Sequence, residues 1–509
     1  MDMTYERIPA EKFVFVQENE KLHDTELQTK ARGYLADAMI RFRKNKSSVI
    51  AAYILLFLVL FAIFAPIISR YDANDKDAMY VNYPPFLPAA AEHNLGFLNG
   101  ARRMDSQNEK AMTMWRGIAE ETGYNPVIRT VATHELQEKK RGNWITRYTY
   151  DIEVDMFYAL GIMYRNFNYA EYQRIQDWQN ETGIQVIFPY VEPVDIGGIS
   201  GNPNIWYKVN STGEAILDDN GNFIPAYSTY TELAGAPYNS IRIEGDDGSW
   251  VYSHAKSGSV QCRVLYYNYY QYINGHEPTY LMGTNVMGMD LFCAIGLGAR
   301  FSLVFALLVS AINLTIGAFY GAVQGYYGGW VDMVLDRIVD VLSGVPFVVV
   351  TTLFQLHLAQ KVGVVPSFLF AFVLTGWIGM SSLTRKQFYR FKSQEFVMAA
   401  RTLGAKDSRL MFKHIFPNAI GTIITSCALV IPGVIGSETS MTYLGIVNLS
   451  SFAGTTIGTL LSQGNAAATT APHAMLFPSI FLGLLMICFN LFGNGLRDAF
   501  NPTTRGVDD

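Results

Sequence analysis

Several residues of this chain have types and spacings that could do chemistry, yet most lack the companions a reaction needs. Asp332, Asp336 and Asp340 stand one helical turn apart, a pattern that inside a membrane can relay ions. Arg337 sits among them and a basic loop follows, which points instead to a structural ion network. Glu438 closes an apolar run and is a candidate partner for Arg300, or a group lining a pathway. His134, His254 and His276 are isolated, and Cys262, Cys293, Cys427 and Cys488 are scattered, so neither a metal site nor a disulfide framework is supported. No Ser/His/Asp spacing marks a hydrolase, and no GxxxxGK[ST] loop is present to cradle a phosphate. Tyr266, Tyr267, Tyr269, Tyr270 and Tyr272, with Trp206 and Trp250, offer aromatic area of the kind enriched at interfaces, although a strand-rich core consumes tyrosine equally well.

The remaining candidate is mechanical. Glu395 to Pro417 reads EFVMAARTLGAKDSRLMFKHIFP: a short amphipathic helix, a break at Gly404, and a second helix start that Pro417 can open. Ala399 and Ala400 are small enough for another surface to approach closely. The plain alternative is a basic loop that only fixes membrane orientation.

These residues must be positioned by membrane helices. Half of the chain is hydrophobic and 16% is charged, against about a quarter in soluble domains. Six runs reach the ~20 apolar residues needed to cross a bilayer: Ser48–Ser69, Phe301–Val323, Ile338–Leu358, Val365–Thr384, Asn418–Ser437 and Ala474–Gly493, with a possible re-entrant stretch at Phe452–Ser462. Arg41, Arg43, Lys44 and Lys46 precede the first run, and eight basic residues from Arg385 to Lys413 lie between the fourth and fifth. Both clusters fall on one side if six helices cross. That side is cytoplasmic by the positive-inside rule, and the C-terminus with Arg497 and Arg505 joins it. Residues 1–46 then form a cytoplasmic segment, 47–69 the first helix, 70–280 an extracytoplasmic insertion with a folded core at about 98–277, and 281–509 the remaining membrane core. The polar start of the chain is no cleavable signal peptide.

From Leu98 to Tyr280 there are 15 Lys plus Arg, 22 Asp plus Glu, and 19 of the chain's 30 tyrosines. Tyr148, Tyr150, Ile152, Val154 and Met156 alternate with polar residues as in a strand. Asn220-Gly221 and Asp247-Gly248 read as hairpin turns, and Asn166 to Thr182 as a helix. A β-rich α+β domain is expected there. Gly317, Gly321 and Gly325 form a small-residue stripe suited to helix packing. The net charge of −5 gives no reason to expect nucleic acid.

The segment from Glu395 to Pro417 resembles the EAA loop of ATP-binding-cassette importer permeases. Ala399, Ala400, Gly404 and Pro417 match its spacing, whereas Met398, His414 and Phe416 replace its Glu, Ile and Leu. Other stretches resemble the oligopeptide and dipeptide permease subfamily: RFRKNKSSVIAAYILLFLVLFAIFAPIIS, LMGTNVMGMDLF, GYYGGWVDMVLDRIVDVLSGVP, SMTYLGI and FNLFGNGLRDAFNP, with Asn285 and Met289 departing from it. The resemblance covers Arg41 to about Gly96 and Leu281 to Pro502, and leaves the insertion unexplained. It implies a type I importer permease fold with six transmembrane helices in a bacterial or archaeal cytoplasmic membrane. It implies no enzyme activity and no cofactor on this chain, with ATP and magnesium on two partner ATPase subunits. A second permease and an extracytoplasmic substrate-binding protein complete the set, and the insertion is expected to contact the latter. Contacts to the ATPase fall on Glu395, Ala399, Ala400, Arg401, Gly404, Ala405 and Pro417. Relatives of this subfamily also import oligosaccharides or nickel chelates, and a membrane-anchored ectodomain with enzyme or receptor activity is the alternative from another class.

Overall fold

The computed structural model describes residues 34–500 apart from 73, 94, 141–142, 194–201, 210–214, 227–239, 244, 246 and 450–454. The expected N-terminal segment up to residue 33, Arg505 and the start of the re-entrant stretch lie outside the described residues.

Among the described residues, five helices are long and apolar enough to cross a membrane. A short α1 (Tyr34–Lys44) precedes the first of them, α2 (Lys46–Ile68), which Asn45 caps by accepting from the Ser48 amide. Ala51, Leu55, Leu58, Ala62 and Ala65 form its buried stripe, while Tyr53, Leu56, Phe57 and Ile67 are exposed. A helix apolar on its exposed side as well belongs in lipid.

The inserted region follows. It contains α3 (Pro88–Glu92), β1 (Ala101–Asn108), α4 (Glu109–Thr122), β2 (Val127–Lys140), β3 (Asn143–Asp155), α5 (Met156–Ala159), β4 (Ile162–Phe167) and α6 (Tyr169–Thr182). Then come β5 (Ile187–Phe188), β6 (Val191–Pro193), β7 (Ser240–Arg242), β8 (Ser253–Lys256), β9 (Ser259–Leu265) and α7 (Tyr266–Asn274). An antiparallel sheet of order β1-β3-β2 packs Ile152 and Val154 against Trp115 and Ile118 of α4. A second sheet, β4-β9-β5 with β8 on β9, packs against Ile175 of α6. The helix expected from Asn166 starts only at Tyr169, because Asn166 and Phe167 pair with β9 and Asn168 caps α6. Asn220-Gly221 does turn the chain, with Gly221 at φ 83° and Leu217 bridging Phe223.

Many of the tyrosines are core. Tyr80, Tyr266, Tyr267, Tyr270 and Tyr280 are buried with Phe86 and Phe157, and Phe86 stacks on Phe157 at 4.2 Å between ring centroids. Tyr266 and Tyr270 keep their hydroxyls satisfied, on Asp77 and Tyr71, whereas the buried hydroxyl of Tyr80 has no hydrogen-bond partner among the described residues. A tyrosine core costs little when each polar tip finds a partner.

The remaining helices are α8 (Leu291–Tyr327), α9 (Gly329–Ser343), α10 (Phe347–His357), α11 (Ala359–Val362), α12 (Val364–Gly376), α13 (Ile378–Phe391), α14 (Glu395–Thr402), α15 (Asp407–Arg409), α16 (Phe416–Tyr443), α17 (Ile457–Ala466) and α18 (His473–Phe500). α12 and α13 run on as one apolar helix, and a π-helical stretch Leu410–Ile415 joins α15 to α16. The single span expected at Ile338–Leu358 is absent as such. Its residues divide between α9 and α10, and Pro346, which has no amide hydrogen, stands at the break.

A second correction concerns Arg300. It does not pair with Glu438 but donates to the carbonyls of Ala62, at 3.1 Å, and Ile63, at 2.6 Å. Pro66 lies inside α2 and has no N–H for the carbonyl four residues before it, which is that of Ala62. Arg300 supplies the missing donor, and Gly296, one turn earlier on α8, lets Pro66 approach. Glu438 is buried and accepts from Ser302 at 2.8 Å.

Candidate functional site

The segment from Glu395 to Pro417 is built outward from one buried side chain. Val397 of α14 is fully buried with Tyr326, Phe388, Leu410, Met411 and Ile415, so α14 lies against the ends of α8 and α13 and the start of the fourth long helix, Asp407–Tyr443. Ala400 and Ala405 pack on the same cluster.

Gly404 ends α14 by a double hydrogen bond. The Ala405 amide reaches back to the Ala400 carbonyl at 3.1 Å, and the Gly404 amide to that of Arg401 at 3.0 Å. This is a Schellman closure, which needs a left-handed residue, and Gly404 has φ 81°. A Cβ on Gly404 would meet nothing within 4 Å, so the requirement there is conformational and not one of space. Ala400 and Ala405 are the two positions such a closure brings into contact. Tyr326 pins the next turn by donating to Asp407 at 2.6 Å, and Arg401 reaches the Tyr326 hydroxyl at 3.4 Å. Pro417 is exposed in the first turn of α16, where a missing N–H is tolerated.

The outer face of this segment carries large apolar side chains where water would favour polar groups. Leu403 is 88% exposed, and Phe396 and Met398 are also exposed. Glu395, Ala399 and Arg401 share this surface, whereas Ala400 and Ala405 are half-buried in the support beneath it. The motif spacing had not singled out Leu403. Its signal was available, as a large apolar residue directly before a helix-ending glycine in a charged segment.

The approach to the segment is closely packed. A Cβ on Gly317, Gly321 or Gly325 would lie 2.7 Å or less from backbone or side-chain atoms of α13, so all three glycines of the stripe face that helix. At its far end Arg385 pairs with Asp332 at 2.6 Å and Asp336 at 2.8 Å, and Tyr389 also donates to Asp332. Asp340 instead pairs on the surface with Arg337. The three aspartates therefore form no continuous chain of carboxylates. Asp332 and Asp336 brace α9 against α13, the helix that leads into α14.

In the inserted region one cluster of charged groups is enclosed. Glu121 takes both terminal nitrogens of the fully buried Arg263, at 3.0 and 2.7 Å, and also pairs with Arg242. Arg242 lies between the rings of Trp206 and Trp250, at 4.6 and 4.8 Å. Those tryptophans thus stack on an internal cation. Asp155 caps α5 by accepting from Phe157, and burial pushes its carboxyl up to about 7.

Residues 313–506 match the binding-protein-dependent transport system inner membrane component family, and residues 33–85 match the N-terminal TM domain of oligopeptide transport permease C. Most of the inserted region lies between the two matches. The oligopeptide transport system permease protein OppC of Bacillus subtilis (strain 168) is 36% identical over 239 residues, 46% of this chain and 76% of that protein. The dipeptide transport system permease protein DppC of the same organism is 34% identical over 224 residues, 44% of this chain and 68% of that one. A chain of the inward-facing MetNI methionine ABC transporter overlays with a TM-score of 0.33 at 13% identity, covering 40% of this chain and 94% of that one, a likeness too slight to bear on the fold.

Proposed function

This chain belongs to the family of binding-protein-dependent transport inner membrane components, in its oligopeptide permease C branch, and on that premise we propose that it is one permease subunit of an ATP-driven importer of oligopeptides or dipeptides. The observation that carries the reading is the outer face of α14. A segment braced from beneath by Val397, the Schellman closure and the Arg385 network still leaves Leu403, Phe396 and Met398 in water. Such a face suits a groove on a separate ATPase subunit, which would push on α14 and, through it, on α13 and α16. ATP and magnesium would reside on two such subunits.

Six crossings follow if α9 and α10 together make the third. At 1.5 Å per residue they span about 22 and 16 Å, enough together for a hydrocarbon core of about 30 Å. The basic clusters before α2 and after α13 then share the cytoplasmic side, as does the end of α18. The inserted region falls outside, where it would contact the substrate-binding protein. A second permease subunit would complete the pathway.

The test is uptake by the importer reconstituted with its partner permease, ATPases and binding protein. Labelled short peptides should accumulate only with ATP, and equally with an ionophore present. Accumulation that the ionophore abolishes would identify an ion-coupled carrier, and uptake of an oligosaccharide or nickel chelate in place of peptides would defeat the substrate assignment.

A further inference from the structure

A cavity of about 350 Å³ lies among the membrane helices, where α8, α10, α12 and α16 meet. Its floor is Asn313, 22 residues into α8 and therefore well inside the apolar stretch. Asn313 is 1% exposed, and its side-chain carbonyl oxygen has no hydrogen-bond partner among the described residues. Leaving such a group unpaired in an apolar interior is costly, and polar side chains at this depth face a bundle interior or a water-filled path. The chain makes room for it. A Cβ on Gly376 would stand 2.3 Å from the Asn313 amide nitrogen, so glycine there lets the carboxamide lie against α12.

The rest of the wall has two characters. Phe347 and Phe372, 4.7 Å apart between centroids, are apolar, while Thr375 and Ser437 bring hydroxyls. The mouth opens beside Gly376 and Gly433, both exposed on the surface of the chain, and a Cβ on Gly433 would meet nothing within 4 Å. A lipid tail could fill the space but has no donor for the Asn313 oxygen. A peptide main chain has one at nearly every residue, and a carboxamide matches its N–H and C=O together. The volume is at the small end of ligand pockets, about 300–1,000 Å³, and suits a short stretch of chain.

We infer that this cavity is a substrate-contact site on the translocation pathway, where Asn313 hydrogen-bonds a main-chain amide of the peptide in transit while Phe347 and Phe372 receive its side chains. The inference rests on the peptide-importer reading and adds to it the place on this chain where the peptide is held.

The test uses the complete reconstituted importer carrying Asn313→Leu, Asn313→Gln or Gly433→Val, with peptide uptake, ATP hydrolysis stimulated by loaded binding protein, and subunit co-purification measured in parallel. Asn313→Leu should lower uptake about tenfold with assembly intact and ATP hydrolysis changed less than about twofold, and Asn313→Gln should recover part of the loss. Gly433→Val, which puts a side chain into the mouth, should slow peptides with bulky side chains more than glycine-rich ones. Normal uptake by Asn313→Leu in an importer whose wild type takes up peptides would overturn the inference alone. Loss of assembly in Asn313→Leu would overturn it too, by showing that the partner permease fills the cavity. A wild-type importer that takes up no peptide would bring down both the reading and the inference.

Discussion

The aromatic core of the inserted region and the α14 segment dispose of their apolar side chains in opposite ways. In the insertion, Tyr80, Tyr267 and Tyr280 are almost wholly enclosed, and even Arg263 is 0% exposed on its paired carboxylate. In the α14 segment Val397 is buried, and Leu403, six residues later, stands out in water. The aromatic core of the insertion is closed by its own contacts, although Trp144, Leu136 and Tyr148 of the β2–β3 hairpin stand exposed. The α14 segment rests on a small cluster and leaves Leu403 uncovered, and that contrast supports the proposed docking surface.

The comparison breaks most visibly at Glu121. Glu121→Ala should leave Arg263 charged and unpaired in the interior, a loss of about 3–5 kcal/mol. Hydrogen exchange on the full chain in detergent should show β4 and β9 opening while α8 and α13 stay protected. Equal protection in the variant would mean that the network contributes little.

Asp155 gives a smaller, pH-dependent effect. Its carboxyl titrates near 7 when folded, above the usual unfolded value of about 4. Stability from this group is therefore complete below about pH 4 and is lost as pH rises through 7, by roughly 2–3 kcal/mol. Exchange protection around α5 should fall between pH 5 and 8, and Asp155→Asn, which keeps the capping oxygen, should flatten that fall. A profile unchanged by the substitution would exclude Asp155 as its source.

Much of this was legible in the sequence, and the exceptions have identifiable causes. Five spans follow from hydropathy because lipid-facing helices such as α2 are apolar on every side. The break before α10 was hidden by the same apolar run, although Gly344 and Pro346 marked it. Arg300 was matched to the nearest unexplained acid, when the real demand came from a backbone carbonyl freed by Pro66. Gly404 was readable as a turn, but its Schellman partners Ala400 and Ala405 take their meaning from a register that only the folded chain shows. The tyrosines were ambiguous because one side chain serves cores and interfaces equally. Asn313 gave no signal at all, since a lone asparagine in a membrane helix becomes informative only when its neighbours and the cavity are known.

The smallest expected change in stability is the most decisive for function. Leu403→Asp alters a side chain that touches almost nothing, and should move stability by less than about 0.5 kcal/mol. If α14 is the surface on which an ATPase subunit acts, the variant should fold and insert normally, lose co-purification with the ATPase, and lose ATP-driven peptide uptake. Uptake and co-purification at wild-type levels in Leu403→Asp would contradict the account.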